Sequence, residues 1–334
     1  MGRSRAALVR QKRTISLLAL TGVAWLVFSL LGQGFFSSFN TLSLNQVMAQ
    51  SIVIGFAQAA LMVLGRINLA VGGIGVVVVA SIGLMANYTG LPLLVILALA
   101  LLVGALAGAL MAVVEIFTKL NSFVVTLAFL SVYRGGELLL TQATHYPVSS
   151  SELLTLGNGT FLTPYLSPQV VVALVVAVLL WFFYFRTSAG WKSRAVGASE
   201  RAAAASGINV TRAVVLGYVV SGLLCAVAAI LVTAQLAEAS PDTGSDWLLL
   251  SFIGPLLAGV ALSGGIISIG GIIAGSLFYG SIFSGLIIMA VPSYWLTMAQ
   301  AVVLLGALVL GEFGSGVLSS RGFQVRRRRV ENRG

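Results

Sequence analysis

Apolar runs alternate with short polar segments along almost the whole chain. Most runs approach or exceed the ~20 residues that a helix needs to cross a bilayer, and several are apolar on all faces. The period-two alternation that marks membrane β-strands is absent from these runs. The pattern predicts an all-α polytopic membrane protein of about ten transmembrane helices. The runs lie at about 15–31, 42–64, 69–86, 92–114, 122–141, 168–185, 213–235, 247–262, 269–291 and 295–312.

Two runs need comment. The first follows a basic segment, as in a signal peptide, but it is long and lacks a small-x-small cleavage site, so we expect it to be retained as a helix. The glycine-rich stretch Gly65–Gly75 is expected to break the second and third runs, or to make them re-entrant.

Composition supports the membrane class. Only 8% of the 334 residues are charged, 58% are hydrophobic and the mean hydropathy is +1.04. A soluble domain carries about 25% charged residues, so this chain cannot coat a water-facing surface of its size. The net charge of +10 comes from short basic blocks between apolar runs, a distribution that favours membrane topology over nucleic-acid binding.

The basic residues also predict orientation. Ten spans place both termini on one side, together with the basic tails 1–14 and 319–334 and the polar loop 186–212. On that count 18 of the 19 Lys and Arg residues, all except Arg134, lie inside or at the inner boundary. This asymmetry is typical of a multi-pass membrane protein with cytoplasmic termini. Residues 1–334 are expected to form one transmembrane domain.

Small residues recur at the spacing that lets membrane helices approach closely. The two motifs are Gly104-x-x-x-Gly108 and Gly271-x-x-x-Gly275. Packing within the chain is the simpler interpretation, and an oligomer interface is the alternative. Cys225, the single cysteine, is expected to be an inert packed thiol.

The loop 186–212 contains a short helix signal. Ser199 is a good N-cap, Glu200 complements the helix dipole, a run of alanines follows and Gly207 provides a left-handed stop. A helix this short is marginal alone in water. Docking to a partner and a simple connector both remain open at this point.

The same loop resembles the cytoplasmic motif of bacterial ABC permeases for ribose and related monosaccharides. That motif reads approximately A-I-G-G-N-E-E-A-A-R-L-S-G-I, and residues 195–208 here read A-V-G-A-S-E-R-A-A-A-A-S-G-I. Further matches are N-S-F-V-V-T-L at 121–127, Y-R-G at 133–135, S-G-L-L at 221–224 and L-S-G-G at 262–265. Together they cover about residues 40 to 312.

The resemblance implies a ribose-permease-type helix bundle that works with separate subunits. Two permease subunits would form the pathway, two ATPase subunits would dock on cytoplasmic loops, and an extracytoplasmic binding protein would deliver the solute. The chain has no G-x-x-x-x-G-K-[ST] motif, so we expect no enzyme activity and no cofactor of its own, with ATP and Mg²⁺ used by the partner. The implied ATPase-coupling residues are Gly197, Glu200, Ala202, Ala203, Ser206, Gly207 and Ile208.

The chain also departs from that family. Residues 65–72 read G-R-I-N-L-A-V-G where the family has G-G-I-D-L-S-V-G, and residues 247–250 read W-L-L-L in place of Y-E-L-D. Ile266 stands where an arginine is frequent. The loss of ionisable groups favours a heterodimer whose other half keeps them, and a homodimer stays open.

Candidate pathway and docking residues follow. Arg134 and Glu137 lie three apart and are expected to pair on one helix face, as a structural ion pair or as part of the pathway. His145 is expected to be solvated, and no metal-ligand spacing occurs. Glu238, Asp242 and Asp246 form either a hydrated loop or an acidic docking surface for a binding protein. The candidate pathway residues are Asn68, Asn121, Phe123, Arg134 and Gln235.

These observations favour a permease subunit of an ABC importer for a monosaccharide or a similar small polar solute. An ion-coupled secondary transporter is the alternative, and it is disfavoured because intramembrane carboxylates are scarce. A permease for a nucleoside, an inositol or a branched-chain amino acid is the third possibility.

The orientation makes a labelling prediction. Cysteines placed one at a time in residues 142–167 should react with a membrane-impermeant maleimide from outside intact cells, because that loop is predicted to be external. Cysteines placed in residues 188–210 should react only after the membrane is opened. The reverse pattern would refute the topology.

Overall fold

The computed structural model describes residues 2–31, 35–148, 150–161, 165–292 and 294–307, and side chains from residue 11 onward within these ranges. The predicted tail 319–334 and the last part of the tenth run lie outside the described residues. The elements are α1 Gly2–Leu31, α2 Ser38–Met62, α3 Val71–Tyr88, α4 Leu93–Thr118, α5 Ser122–Thr141, β1 Tyr146–Pro147, α6 Ser151–Asn158, α7 Pro168–Arg186, α8 Ser188–Ala198, α9 Glu200–Ala205, α10 Val210–Leu236, β2 Glu238–Ala239, α11 Trp247–Leu257, α12 Ile269–Ile288 and α13 Tyr294–Ala307.

The described chain confirms an all-α polytopic membrane protein. Eight helices are long and apolar enough to cross a bilayer, and α11 and α13 are shorter apolar helices. Each of the ten predicted runs therefore contains a helix. The expected helix 247–262 is too long, because α11 ends at Leu257 and the chain then turns through Gly259 (φ +76°) and Gly264 (φ +91°). Such φ values are open to glycine at little cost.

Local sequence explains where several helices begin. Asn121 caps α5, Ser167 caps α7 with Pro168 directly after it, and Ser268 caps α12. In each case the side-chain oxygen accepts a hydrogen bond from a backbone N–H of the first turn, which has no partner within the helix. The predicted cap Ser199 is confirmed, since its hydroxyl accepts from the N–H of Ala202 at the start of α9.

Helix α2 forms the centre of the bundle. In its most apolar window 83% of the residues are buried, and α7, α10, α11 and α12 pack around it. The corresponding fraction is only 11% for α1, 28% for α4 and 22% for α5. Their exposed side chains are mainly Leu, Val and Phe, as expected of surfaces that face lipid.

The small-residue motifs pack helices within the chain. Gly104 lies against the carbonyl of Gly222, and Gly108 lies against the carbonyl of Tyr218, so that α4 and α10 touch backbone to backbone. Gly275 similarly meets the backbone of Gly254 on α11. The interpretation as intrachain packing is thereby confirmed.

The bundle has two distinct ends. At one, which we call the hairpin end, β1 and β2 pair antiparallel, with Tyr146 opposite Ala239, and α6 lies beside them. At the other, the α8 end, α8 and α9 meet the loops 63–70 and 258–268. Arg13 of α1 donates hydrogen bonds to the carbonyls of Leu256 and Leu257 there, which caps the last turn of α11.

The eighth crossing is partly turns and partly helix. Ala239 lies against Gly83 and Gly244 lies against Gly72, two glycines eleven residues apart on α3, or about 16 Å along the axis. Between these contacts the chain runs through turns, since the N–H of Thr243 donates to the carbonyl of Ser240 and the N–H of Ser245 donates to the carbonyl of Asp242. The eleven residues of α11 continue for about another 16 Å to the α8 end. The two parts together match the roughly 30 Å of hydrocarbon in a bilayer.

The close contact of α4 with α10 predicts that two glycine-to-alanine substitutions differ in their effect on stability. Gly108→Ala should destabilise the protein by about 1–3 kcal/mol, because the new Cβ collides with the Tyr218 carbonyl. Gly270→Ala is the matched control, since no atom lies within 4 Å of its added Cβ, and it should be neutral or slightly stabilising. Thermal unfolding in detergent, followed by tryptophan fluorescence, measures both. Equal midpoints for the two variants would contradict the packing.

Candidate functional site

A cavity of about 280 Å³ opens beside the break in the eighth crossing. Its wall on α2 runs from Val47 to Ile54, nine and eight residues from the helix ends, so it lies near the middle of the bundle. This volume is just below the range of about 300–1,000 Å³ typical of drug-sized ligands, and therefore suits a small solute. The lining residues are Val47, Gln50, Ser51, Ile54, Val232, Leu236, Ser240, Asp242, Thr243, Gly244, Asp246, Trp247, Leu250, Tyr279 and Phe283.

A chain of glutamine side chains joins the cavity wall to the hairpin end. Gln50 donates to Gln169 at 3.0 Å and to Gln235 at 2.6 Å, and Gln235 donates to Gln46 at 3.0 Å. Gln46 in turn donates to the carbonyl of Gly157 in α6. Gln235, a predicted pathway residue, thus reaches the cavity through Gln50.

The opposite wall carries a carboxylate held by two neighbours. Asp246 precedes α11, and its side chain makes no capping hydrogen bond to that helix. It is exposed although it lies within the bundle, because it faces the cavity. Gln300 of α13 hydrogen-bonds to it and also donates to the Tyr279 hydroxyl at 2.6 Å.

Three predicted pathway residues lie away from this cavity. Asn68 is fully buried, donates to Ser221 at 2.9 Å and accepts from the backbone of Ala70 at 2.9 Å. Asn121 is the α5 cap already described, and Phe123 is 48% exposed on the outside of α5. The two amides serve the backbone and neighbouring helices in the described structure.

The expected ion pair of Arg134 with Glu137 is wrong. Arg134 instead donates to the carbonyl of Pro241 at 2.7 Å, which fixes the non-helical half of the eighth crossing to α5. Glu137 is fully buried and accepts from Thr141 at 2.7 Å. Its other carboxylate oxygen has no hydrogen-bond partner among the described residues.

The three predicted docking acids do not form one patch. Glu238 lies in β2 at the hairpin end, 3.4 Å from His145, and both side chains are about half exposed. Asp242 and Asp246 line the cavity. Both side chains are exposed, while Thr243 and Gly244 between them are buried against the bundle.

The loop with the predicted coupling residues folds into two helices, α8 and α9. Sequence analysis anticipated the shorter one, α9, and its stop at Gly207 (φ +78°), but missed α8. Ala203 is buried against the bundle and Ile208 is half-buried. The exposed residues of the predicted set are Glu200, Ala202, Ser206 and Gly207.

Gly197 places this loop directly on the two breaks in the bundle. A Cβ at Gly197 would collide with the carbonyl of Val63, after α2, and would lie 2.6 Å from the nitrogen of Gly265, after α11. That nitrogen donates to the Val63 carbonyl at 2.8 Å. Three backbone segments therefore meet at one point of the α8 end.

A charged cluster lies next to that junction. Arg66 pairs with Glu115 of α4 at 2.6 Å, and its second nitrogen is 3.7 Å from Glu200 of α9. Tyr218 of α10 donates a short hydrogen bond to the other oxygen of Glu115. The arginine that departs from the family pattern thus connects α9 with α4 and, through Glu115, with α10.

Sequence reasoning missed Gln46, Gln50 and Glu115. Gln46 and Gln50 lie four apart in an otherwise apolar helix, and this spacing on one helix face was a readable signal. Nothing in the sequence points to the pairing of Glu115 with Arg66, which lie 49 residues apart.

Comparisons with known proteins agree on one family. Residues 44–310 match the family model described as branched-chain amino acid transport system / permease component. The chain is 26% identical to the ribose import permease protein RbsC of Haemophilus influenzae across 310 residues, 92% of this chain and 94% of that protein. It is 30% identical to the autoinducer 2 import system permease protein LsrC of an Enterobacter species across 302 residues, 89% and 84% of the two chains. It is 32% identical to the galactofuranose transporter permease protein YtfT of Escherichia coli across 195 residues, 58% and 56% of the two chains. No solved structure matches the chain.

The charged cluster predicts a non-additive double mutant. Arg66→Gln should destabilise the protein by about 3–5 kcal/mol, because it leaves the Glu115 carboxylate buried without its cation. Adding Glu115→Gln should recover most of that loss, since the buried charges are then removed together. Urea unfolding of the detergent-solubilised variants tests the cycle, and purely additive effects would contradict the pairing.

Proposed function

The chain belongs to the family of branched-chain amino acid transport system permease components, and on that basis we propose that it forms the solute pathway of an ABC importer for a monosaccharide or a similar small polar solute. The relatives named above are permeases for ribose import, autoinducer 2 import and galactofuranose transport, and this supports a sugar-like solute. We place the protein in the bacterial inner membrane.

The observation that carries the proposal is the cavity at the start of α11. Irregular backbone within a membrane is tolerated where it is buried in protein or lines a cavity. Transporters place solute sites at such interrupted helices, near the middle of the bilayer. Here the non-helical segment 239–246, the break before Trp247 and the polar wall with Gln50 coincide near the middle of α2.

The energy source in this proposal is a separate pair of ATPase subunits. Helix α9 offers an exposed, small-residue surface at the basic end of the bundle, suited to a groove on such a subunit. The ATPase subunits would bind ATP and Mg²⁺, and this chain would carry neither. A displacement of α9 would reach the breaks after α2 and α11 through Gly197, because the three backbones touch there.

Two further partners complete the assembly. A second permease subunit forms the other half of the pathway, and the loss of acids at Leu248 and Leu250 favours a different chain over a second copy. An extracytoplasmic binding protein docks at the hairpin end, where Glu238 and Glu152 are accessible. The Ser150 hydroxyl donates to Glu152 and holds the pKa of that carboxyl below its usual range, so this charge persists in mildly acidic surroundings.

The coupling role predicts that loop variants separate ATP hydrolysis from transport. Glu200→Lys puts a cation beside Arg66 and reverses the charge of the docking surface, and like-charge contacts at interfaces cost several kcal/mol. Gly207→Pro cannot adopt the positive φ at the helix stop. Each should reduce solute uptake per ATP hydrolysed by about tenfold or more.

The measurement is uptake into proteoliposomes that contain the complete assembly, with ATP inside or with only an ion gradient. Lys119→Gln, an exposed charge change at the same end but outside α8 and α9, is the control and should keep full coupling. Unchanged coupling in both loop variants would remove the docking role. Robust uptake on an ion gradient without ATP would overturn the importer and favour a secondary transporter.

A further inference from the structure

The charge of the cavity is one-sided. Asp242 and Asp246 are the ionisable carboxylic acids in its wall, and the lining residues include no Lys, Arg or His. An anionic solute entering this space would lose water and gain two nearby negative charges. Both changes raise its free energy. An uncharged solute loses water at a smaller cost and meets no charge repulsion.

A buried hydroxyl in the same wall lacks a partner. Thr243 is 7% exposed, and its Oγ1 atom has no hydrogen-bond partner among the described residues. Leaving such a group unpaired costs about 1–3 kcal/mol, unless something that enters the cavity pairs with it. A hydroxyl both donates and accepts, so its natural partner is another hydroxyl or an amide.

The Asp246 carboxylate has one side-chain neighbour that hydrogen-bonds to it. Gln300 binds it from α13, and the same amide is tied to Tyr279 of α12. The ring of Trp247, the next residue, packs against Gly75 on α3 and forms part of the cavity wall. A carboxylate held in this way can accept two hydrogen bonds from neighbouring hydroxyls of one solute, next to an aromatic surface.

We infer that Asp246 and Thr243 are the solute-recognising groups of this cavity, and that the cavity takes uncharged or amino-bearing polyhydroxy solutes and rejects anionic ones such as sugar acids and sugar phosphates. This inference rests on the proposed function, because it deepens the role of the same cavity. It adds a selectivity by charge that operates in the membrane subunit itself.

The charge of the cavity is measurable without knowing the natural solute. Val47→Cys places a thiol on the α2 wall, and Leu236→Cys provides a second, more exposed position in case the first variant folds poorly. Cys225 is fully buried and should stay silent. The purified protein is treated with aminoethyl or sulfonatoethyl methanethiosulfonate, a cation and an anion of similar size, and the rates are normalised to a free thiol.

The cation should react about tenfold faster than the anion, or more, at either cavity position. Asp246→Asn should lower that ratio several-fold, and Thr89→Cys at the exposed hairpin end should show a ratio near one. A ratio near one in the cavity, or a ratio unchanged by Asp246→Asn, would overturn the charge selectivity.

Recognition is tested by protection of the same thiol. D-ribose or D-galactose at high concentration should slow the labelling of Val47→Cys with an uncharged maleimide, and D-galacturonate should not. Asp246→Asn and Thr243→Val should each abolish the protection, while Asp246→Glu should restore part of it. Protection by galacturonate, or protection by neither neutral sugar, would overturn the assignment.

These measurements need neither ATP nor partner chains. If the assembly fails to transport with ATP while the charge ratio and the protection hold, the proposed function is wrong and the cavity chemistry stands. If ATP-driven uptake holds and Asp246→Asn changes neither readout, the importer stands and this inference is wrong.

Discussion

The structure depends on one constraint, which is that buried backbone N–H and C=O groups need hydrogen-bond partners. Within an apolar bundle every N–H and C=O group must be satisfied by protein, and helices do this by themselves while an extended chain does not. Segment 239–246 is not helical, so its own turns and its surroundings supply the partners. The N–H groups of Thr243 and Ser245 donate to the carbonyls of Ser240 and Asp242. Gly72 and Gly83 let it lie directly on α3, and Arg134 donates to the carbonyl of Pro241. The cavity exists because the helical crossing is interrupted there.

The two regions to which we assign functions are connected by backbone contacts. The α8 and α9 loop touches the turns after α2 and α11 at Gly197, and α2 and α11 are also two walls of the cavity. The cluster of Arg66 with Glu115 and Glu200 lies beside this junction and adds electrostatic links to α4 and α9. Backbone segments in direct contact form an interface of low compressibility. A small shift of one segment therefore displaces the others. The geometry therefore joins the proposed docking surface on α9 to the proposed solute site by a short route.

Local sequence patterns were sufficient to predict the positions of the long helices and some of the residues at which helices begin or end. Periodic apolarity located each crossing, and Ser199 and Gly207 marked α9, because capping depends on neighbouring residues only. Long-range contacts decided the rest. Arg134 lies near Glu137 in sequence, yet its partner is a carbonyl 107 residues away. Segment 240–246 has the acids and turn residues of a hydrated loop, and only the glycines of α3 reveal that it enters the bundle. Sequence alone therefore assigned Asp242 and Asp246 to a surface.

The turns between Ser240 and Trp247 have a mechanical consequence. The N–H groups of Thr243, Ser245 and Trp247 donate to the carbonyls three residues earlier in the chain. Four residues in such a turn span less than about 7 Å, whereas the same residues in an extended chain span about 10 Å. The segment therefore holds spare length between α11 and the β1–β2 pair. When α11 shifts toward the α8 end, a turn can open while the pairing of Tyr146 with Ala239 stays intact.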